Sequence, residues 1–311
     1  MIPALLACAL VPAAASDAEA WRIFAQLQPS GANQTAAWES WASAADTFRR
    51  NGADPGPWRG VSHPGPERFE LVTPADFPNL RHVVHGRMLP VTEPLATAQR
   101  LVEVRLNTPS YDFIRTRHLY TVAGQRRALA QGKVEFPVGS IQLKAGWLPI
   151  TQAERPHYHT LSLRLADGSM RLFGLAALNI AAKTPQGWLW ASFEHTDGEG
   201  GRHYALRGTQ TSYLDAAQRP VLLGNAVLEA DLGNRASCMT CHARATLSVD
   251  GGSSRLPVFA PAPPGVRRGY VGTPDPGWFG HADTHGQWQT VFAPLDFVWS
   301  LSQAADQETH P

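Results

Sequence analysis

Alternation of apolar and polar residues dominates the middle of the chain, and this period of two is typical of half-buried β-strands. The runs 141–147 and 161–165 both alternate, and each places its apolar side chains on one face. Asp167-Gly168 follows the second run and is a tight-turn signal, so 170–175 is expected to return as its hairpin partner. The aromatic-rich run 188–195 is expected to form a further strand.

Helical spacing is found on both sides of this region. Apolar residues recur every three or four positions in 35–50, which predicts a helix, whereas 51–66 is rich in proline and glycine and predicts a loop. The run 221–232 predicts another helix. The run 251–286 is dense in glycine and proline without periodicity, so it is expected to wrap over the body of the protein. Pro294 is expected to start a closing helix.

Taken together, these elements predict the α+β class. Strands precede the last third of the chain and helices lie within it, so we expect a β-rich central region and a helical, loop-wrapped C-terminal segment.

The N-terminal residues match the pattern of an export signal. Residues 2–11 are nearly all apolar, and Ala13-Ala14-Ala15 and Ala18-Glu19-Ala20 both fit an A-x-A cleavage site. Cleavage is therefore expected after Ala15 or after Ala20. No lysine or arginine precedes the apolar run, and a buried N-terminal helix is the alternative interpretation. No later run reaches the roughly 18 apolar residues that a membrane span needs, so the mature protein is expected to be periplasmic or secreted, without a membrane span.

The composition is that of a globular protein, with 311 residues, 43% of them apolar, and a formal net charge of +1. A charge so close to zero gives no reason to expect nucleic acid or an anionic membrane surface as a partner. Of the three cysteines, Cys8 lies in the expected signal peptide and would leave with it. The remaining pair, Cys238 and Cys241, cannot form a disulfide framework for a chain of this length.

Cys238-Met239-Thr240-Cys241-His242 has the C-x-x-C-H form of c-type haem attachment. Each thiol can add to one vinyl group of a haem, and the two-residue gap lets both sulfurs reach the same edge of the porphyrin. His242 follows directly and is placed to bind the iron as the proximal ligand. The sequence therefore predicts one covalently bound haem c in the C-terminal segment.

Three other interpretations compete for this cysteine pair. A zinc site needs four ligands, and the mature chain has no second cysteine pair, although two remote histidines could complete such a site. A thioredoxin-like redox pair should follow a strand in a βαβ unit, which the pattern does not contain. The two cysteines could also be structural residues that lie three apart by chance.

The sequence leaves the second axial ligand of the haem open. The strand parity of His159 and His195 directs both rings into the core, where an imidazole needs a partner, so His195 or His159 is the expected distal ligand. Met88 and Met170 are alternatives, whereas the attachment loop itself keeps Met239 from reaching the opposite side of the haem. The other candidate histidines are not distinguished by the sequence: His82, His85, His118, His157, His203, His281 and His285.

Short blocks of sequence accompany the motif over roughly residues 38–302. They are Ser237–Ala243, Gly224–Glu229, Lys144–Trp147, Tyr158–Thr160, Trp190–His195 and Asp296–Ser300. Together these blocks resemble a poorly characterised group of exported bacterial monohaem c-type cytochrome family proteins. Gly146 stands where a second alanine is usual in that group. The resemblance implies one covalent haem held by Cys238, Cys241 and His242, and it implies no particular substrate.

The expected domain organisation is a signal peptide at 1–20, a single composite cytochrome c-like domain at 21–302 and a tail at 303–311. Within the domain, the β-rich part spans about 67–215 and the haem segment about 216–302.

The expected function is single-electron transfer through the haem, with a redox partner protein that the sequence does not identify. Buried aromatic side chains, of which Trp147, Trp190 and Phe193 are the candidates, are expected to keep water from the haem. The alternative is a haem-c enzyme that acts on peroxide or another small ligand at an open distal site, with His195 or His159 as general base.

Overall fold

A computed structural model describes the parts of the chain that form the sheet and the elements packed on it. The described residues are 13–28, 36–60, 81–84, 87–90, 101–164, 168–196, 203–225, 227–229, 236–252, 254–256 and 271–305. The α-helices among them are α1 (Ala13–Leu27), α2 (Ala44–Thr47), α3 (Thr108–Thr116), α4 (Val122–Ala130) and α5 (Cys238–His242).

The strands are short at both ends of the chain and long in the middle. They are β1 (Ala42–Ser43), β2 (Arg81–Val84), β3 (Arg87–Pro90), β4 (Leu101–Leu106), β5 (Ile141–Pro149), β6 (Thr160–Arg164), β7 (Met170–Thr184), β8 (Gly187–His195), β9 (Tyr204–Gln210), β10 (Thr246–Ser248), β11 (Gly280–Ala282), β12 (Trp288–Thr290) and β13 (Phe292–Pro294). Short 3-10 helices lie at Ala37–Ser40, Arg155–His157, Pro276–Trp278 and Trp299–Gln303.

Seven of these strands form one antiparallel sheet. Its order is β1-β4-β5-β7-β8-β9, and β6 pairs with the first residues of β7. The predicted strands over 141–147 and 188–195 and the predicted hairpin around Asp167-Gly168 are confirmed as β5, β8 and the β6–β7 pair. Three two-stranded pairs lie outside it, β2 with β3, β10 with β13 and β11 with β12.

One face of the sheet packs against α1, and we call it the α1 face. Phe24 of α1 stacks on Phe193 of β8 with their ring centroids 4.2 Å apart. Ala20, Ile23 and Leu27 of the same helix are buried in this cluster. The sheet residues on this face are Leu143, Ala145, Trp147, Leu178, Ile180, Leu189, Ala191 and Phe193.

The opposite face carries the elements that surround Cys238–His242, and we call it the motif face. Trp188 and Trp190 of β8 lie in one buried cluster with Met239 of α5. Residues of α3 and α4 and of the chain after β13 complete this cluster: Ile114, Val122, Ala128, Leu295, Val298 and Leu301. Because successive side chains of a strand point to opposite faces, β8 contributes its even-numbered residues here and its odd-numbered residues to the α1 face.

The predicted continuous helix over 35–50 is wrong. The segment instead forms the 3-10 helix Ala37–Ser40, the strand β1 and the short helix α2. It passes from one face of the sheet to the other, because Trp38 is buried on the α1 face and Phe48 on the motif face. Between them Ala42 pairs with Leu106 at the edge of the sheet, and this pairing interrupts the helical repeat.

The helix predicted over 221–232 is also absent from the described part of that range. Leu223 forms an isolated bridge with Ser237, and the amide of Cys238 donates to the carbonyl of Leu223 at 3.1 Å. The side chain of Asn225 accepts hydrogen bonds from the amides of Val227 and Leu228, at 2.9 and 3.0 Å. An Asn side chain that bonds to amides just after it offers the backbone an alternative to a helix, and the chain turns here.

Pro294 does not start a helix. It ends β13, where it pairs with Thr246. The backbone then enters the left-handed region at Asp296 (φ +49°) and Phe297 (φ +67°), which a right-handed helix cannot accommodate. A 3-10 helix follows at Trp299–Gln303.

The described residues thus form an α+β structure built on a large antiparallel sheet, which confirms the coarse prediction of fold class. Among the described residues of the C-terminal segment, the only helices are α5 and two 3-10 helices, fewer than expected. None of the described helices has the length and apolar character required to cross a membrane. Residues 1–12 of the predicted signal peptide lie outside the described residues, and α1 runs through both predicted cleavage positions.

Candidate functional site

The helix α5 brings the two cysteines and the histidine of the motif together. Ser237 precedes it as N-cap, and its hydroxyl oxygen accepts from the amide of Thr240 at 3.2 Å. Cys238 and Cys241 lie three residues apart, so their side chains are neighbours on one side of the helix, and His242 follows at its C-terminal end. All three side chains are partly accessible to solvent although the neighbouring Met239 and Thr240 are buried.

A buried glutamine of the sheet holds the start of α5. Gln210, at the end of β9 and 2% exposed, accepts from the amide of Met239 through Oε1 at 3.0 Å. Its Nε2 donates to the hydroxyl of Ser237 at 2.7 Å. Thr240 donates through its own hydroxyl to the carbonyl of Gly272 at 2.6 Å. Sequence reasoning missed Gln210, because a single glutamine 28 residues before Cys238 carries no local signal.

The imidazole of His242 is oriented by a backbone carbonyl. Its Nδ1 lies 2.8 Å from the carbonyl oxygen of Phe297. A carbonyl can only accept, so Nδ1 carries the proton and Nε2 keeps its lone pair. Burial lowers the pKa of the ring, which favours this neutral form. The geometry is that of a histidine ready to bind a metal ion through Nε2, with its other nitrogen fixed by a hydrogen bond.

Cys238 and Cys241 are free thiols, and the surrounding protein covers both of them in part. Cys238 Sγ donates to the carbonyl of Leu223 at 3.3 Å. Burial raises the pKa of the Cys238 thiol well above its usual value and that of Cys241 to about 11. A reactive redox pair is marked by a thiol with a lowered pKa, whereas here burial raises the pKa of both thiols.

Aromatic rings of the motif face lie beside His242. The ring centroid of Trp190 is 6.0 Å from that of His242 and 5.4 Å from that of Phe297. Of the three aromatic residues expected to shield a haem, Trp190 alone lies on this face. Trp147 and Phe193 are buried on the α1 face.

A polar group lies on the motif face around Glu229, whose charge adds to burial in raising the pKa of both thiols. The carboxylate of Glu229 accepts from Asn179 Nδ2 at 3.1 Å and from the amide of Asn225 at 3.0 Å. Lys144 Nζ lies 3.5 Å from the same carboxylate and is about one third exposed. The register of β5 and β7 places Lys144 directly opposite Asn179. This lysine–glutamate pair was not singled out by the sequence, since its partners are 85 residues apart.

Buried polar atoms without a hydrogen-bond partner lie on the same face. They are Trp190 Nε1, Gln142 Nε2 and Asn179 Oδ1. Gln142 and Trp190 both pair with Ala181, one from each side, so they occupy one row across the sheet. Buried polar atoms in proteins are almost always satisfied. The two donors in this row, Trp190 Nε1 and Gln142 Nε2, can donate to an acceptor such as a carboxylate, whereas Asn179 Oδ1 needs a donor.

The structure does not bring His195 or His159 to this site. His195 points inward as its parity predicts, but on the α1 face, where its Nε2 lies 2.8 Å from the carbonyl of His157 and its ring stacks on Tyr158 at 3.7 Å. His159 lies 3.0 Å from the carboxylate of Glu39 and beside Trp38. The sheet therefore stands between both imidazoles and His242.

The other candidate ligands are also separated from His242 where the structure describes their side chains. Met170 is 58% exposed at the start of β7, and His203 lies among the histidines of the α1 face. His281 and His285 are exposed in the β11–β12 pair. His82 and Met88 lie in β2 and β3, whose side chains are outside the described part, and His85 lies outside it altogether. Among the described residues, no three histidine, cysteine or acidic side chains are grouped to hold a metal ion, so no zinc ligand set is found there.

Comparisons of the chain with protein family models, with curated proteins and with solved structures give no match.

Proposed function

We propose that this protein is an exported monohaem c-type cytochrome that transfers single electrons. Cys238 and Cys241 would hold the haem by two thioether bonds, and His242 would bind its iron as the proximal ligand. When bound, the haem supplies the one-electron couple of its iron. The redox partner is a protein still to be found.

The observation that carries the proposal is the state of His242. Its Nδ1 proton is donated to the carbonyl of Phe297, which leaves Nε2 as the metal-binding atom immediately after two thiols on one helical turn. Burial raises the pKa of both thiols, so neither is driven towards the thiolate. In the addition of a thiol to a vinyl group, the sulfur bonds to one vinyl carbon and the hydrogen goes to the other, so no oxidant is consumed.

Export is part of the proposal, and the packing of α1 favours one of the two cleavage positions. Thr209 Oγ1 donates to Asp17 Oδ1 at 2.6 Å and lies 2.8 Å from the hydroxyl of Ser16. Ala20 is 1% exposed in the core of the α1 face. Cleavage after Ala20 would remove all three residues, whereas cleavage after Ala15 keeps them. We therefore propose Ser16 as the first residue of the mature chain.

The test is the mass of the exported protein. We expect a chain that starts at Ser16 and carries the mass of one haem that denaturation does not remove. Cys238→Ala combined with Cys241→Ala should lose that mass and all haem staining in a denaturing gel. The matched control is Cys8→Ala, which alters a cysteine that cleavage removes and should leave the haem in place. A colourless exported wild type with the mass of its amino acids alone contradicts the proposal.

A second candidate function, a haem-c enzyme with an open distal site, is favoured by the polar motif face. Glu229 and Lys144 form an ion pair on the motif face, whereas His195 and His159 lie behind the sheet. In this case Glu229 is the side chain placed to accept a proton from a small ligand, and Lys144 the one placed to hold an anionic ligand.

Carbon monoxide distinguishes the two functions. An electron carrier with two protein ligands on the iron should keep its ferrous optical spectrum when carbon monoxide is added without denaturant. A full shift to the spectrum of the carbon monoxide complex supports the enzyme and contradicts the closed site.

A further inference from the structure

The carbonyl that accepts the proton of His242 belongs to an unusual turn. Asp296 and Phe297 both have positive φ, at +49° and +67°, and the turn is closed by the amide of Val298, which donates to the carbonyl of Leu295 at 3.0 Å. Positive φ at both central residues is typical of type I′ turns, which prefer Asn-Gly. Phe at the second position is strained, because its Cβ comes close to the following carbonyl oxygen in this conformation. The turn therefore needs to be held by its surroundings.

The carboxylate of Asp296 stabilises this turn by bonding to three surrounding groups. Its Oδ2 accepts from the amide of Phe136 at 2.7 Å, and its Oδ1 accepts from Trp188 Nε1 at 3.0 Å. Lys183 Nζ lies 3.0 Å from each oxygen. The side chains of Asp296 and Lys183 are only 9% and 11% exposed, so the pair is little screened by water. One carboxylate thus ties the turn to β7, to β8 and to the segment that leads into β5.

The turn held by Asp296 contacts His242 through the residue that follows Asp296. The carboxylate of Asp296 does not bond to the imidazole, but the carbonyl of the next residue, Phe297, accepts from Nδ1 at 2.8 Å. The ring of Phe297 packs against Trp190, whose own ring lies beside His242. The position of the carbonyl is therefore set by Asp296 on one side and by an aromatic contact on the other.

We propose that Asp296 is a positioning residue for the proximal ligand: by holding the strained turn at 295–298, it fixes the Phe297 carbonyl on His242 Nδ1. The inference rests on the proposed haem function and deepens it. A firm hydrogen bond from Nδ1 makes an imidazole a stronger electron donor to a metal, which stabilises the ferric state. Asp296 accordingly lowers the reduction potential of the haem.

The test is Asp296→Asn. Asparagine keeps the size of the side chain and tolerates positive φ as well as aspartate does, but it offers one acceptor oxygen instead of two and no charge for Lys183. We expect the midpoint potential to rise and the Nδ1 proton of ¹⁵N-labelled His242 to exchange faster with D₂O. Asp283→Asn is the matched control. Its carboxylate also anchors a turn, accepting from the amides of His285 and Gln287, and it should change neither quantity.

A second variant, Trp188→Phe, provides the test if Asp296→Asn does not fold. Trp188→Phe removes one donor to Asp296 and leaves the carboxylate and its lysine in place, so a smaller rise in potential and a smaller acceleration of exchange are expected. Covalent haem in these variants together with wild-type potential and wild-type exchange overturns the role of Asp296. The proton exchange can be followed with or without haem, so a protein that attaches no haem refutes the proposed function while the positioning of His242 is still decided.

Discussion

At the scale of single residues, the motif is supported by side chains that lie far from it in sequence. His242 depends on the carbonyl of Phe297, and the start of α5 depends on Gln210. Neither partner could be predicted, because each is isolated in the sequence and becomes a neighbour of the motif only through the sheet and the turn after β13. The cysteines and His242 could be singled out because they form a local motif of fixed spacing, and the structure places them on one short helix.

Gln210 offers a test of this support. Gln210→Met keeps the length of the side chain but leaves the amide of Met239 without its acceptor inside the protein. An unsatisfied buried group costs about 1–3 kcal/mol, so we expect the free energy of unfolding to fall by that amount, measured by urea denaturation followed by far-UV circular dichroism. The control Gln287→Met alters an exposed residue and should change the free energy by less than about 0.5 kcal/mol. Equal stability of both variants would show that Gln210 does not anchor α5.

At the scale of elements, strands were predicted better than helices. The strands β5 and β6 follow from alternation, because one face of an antiparallel sheet repeats every second residue whatever packs on it. The start of β7 follows from the turn signal at Asp167-Gly168, and β8 from its aromatic content. The segment 36–48 has helical spacing but contacts both faces of the sheet, and only the edge pairing of Ala42 with Leu106 reveals why the helix is interrupted. The residues after Gly224 turn because the Asn225 side chain bonds to nearby amides.

Close packing at Gly146 illustrates how an element depends on its neighbours. A Cβ added to Gly146 would lie 2.8 Å from Leu228 Cδ2, closer than packed carbon atoms approach. The glycine therefore allows the turn at 227–228 to lie directly on β5.

At the scale of the whole molecule, the sheet divides the chain into two environments. The α1 face is apolar and aromatic, with His195 and His159 bonded to protein groups at its margin. The motif face holds Cys238, Cys241 and His242 together with Trp190 and the Glu229 group. Strand parity shows that His195 and His159 point inward, but it does not show which face of the sheet each one occupies, and both lie on the α1 face.

The separation of the two faces makes a prediction for His195. His195→Ala should leave the ferric optical spectrum unchanged, because the sheet lies between this imidazole and His242, while the loss of its bond to the His157 carbonyl and of its stacking on Tyr158 lowers stability. His159→Ala should behave in the same way. Conversion of either variant to a high-spin ferric spectrum would mean that the imidazole is an axial ligand and that the described packing is not the one adopted with haem.

The sequence by itself determined the C-x-x-C-H motif, four strands of the central sheet (β5, β6, the start of β7 and β8) and the α+β class, because each depends on spacings within a few residues of one another. The tertiary structure decided the neighbours of His242, the face on which each histidine lies and the breaks in the predicted helices. Those features depend on contacts between segments as much as 160 residues apart, as between Phe136 and Asp296, and no local pattern of apolar and polar residues encodes them.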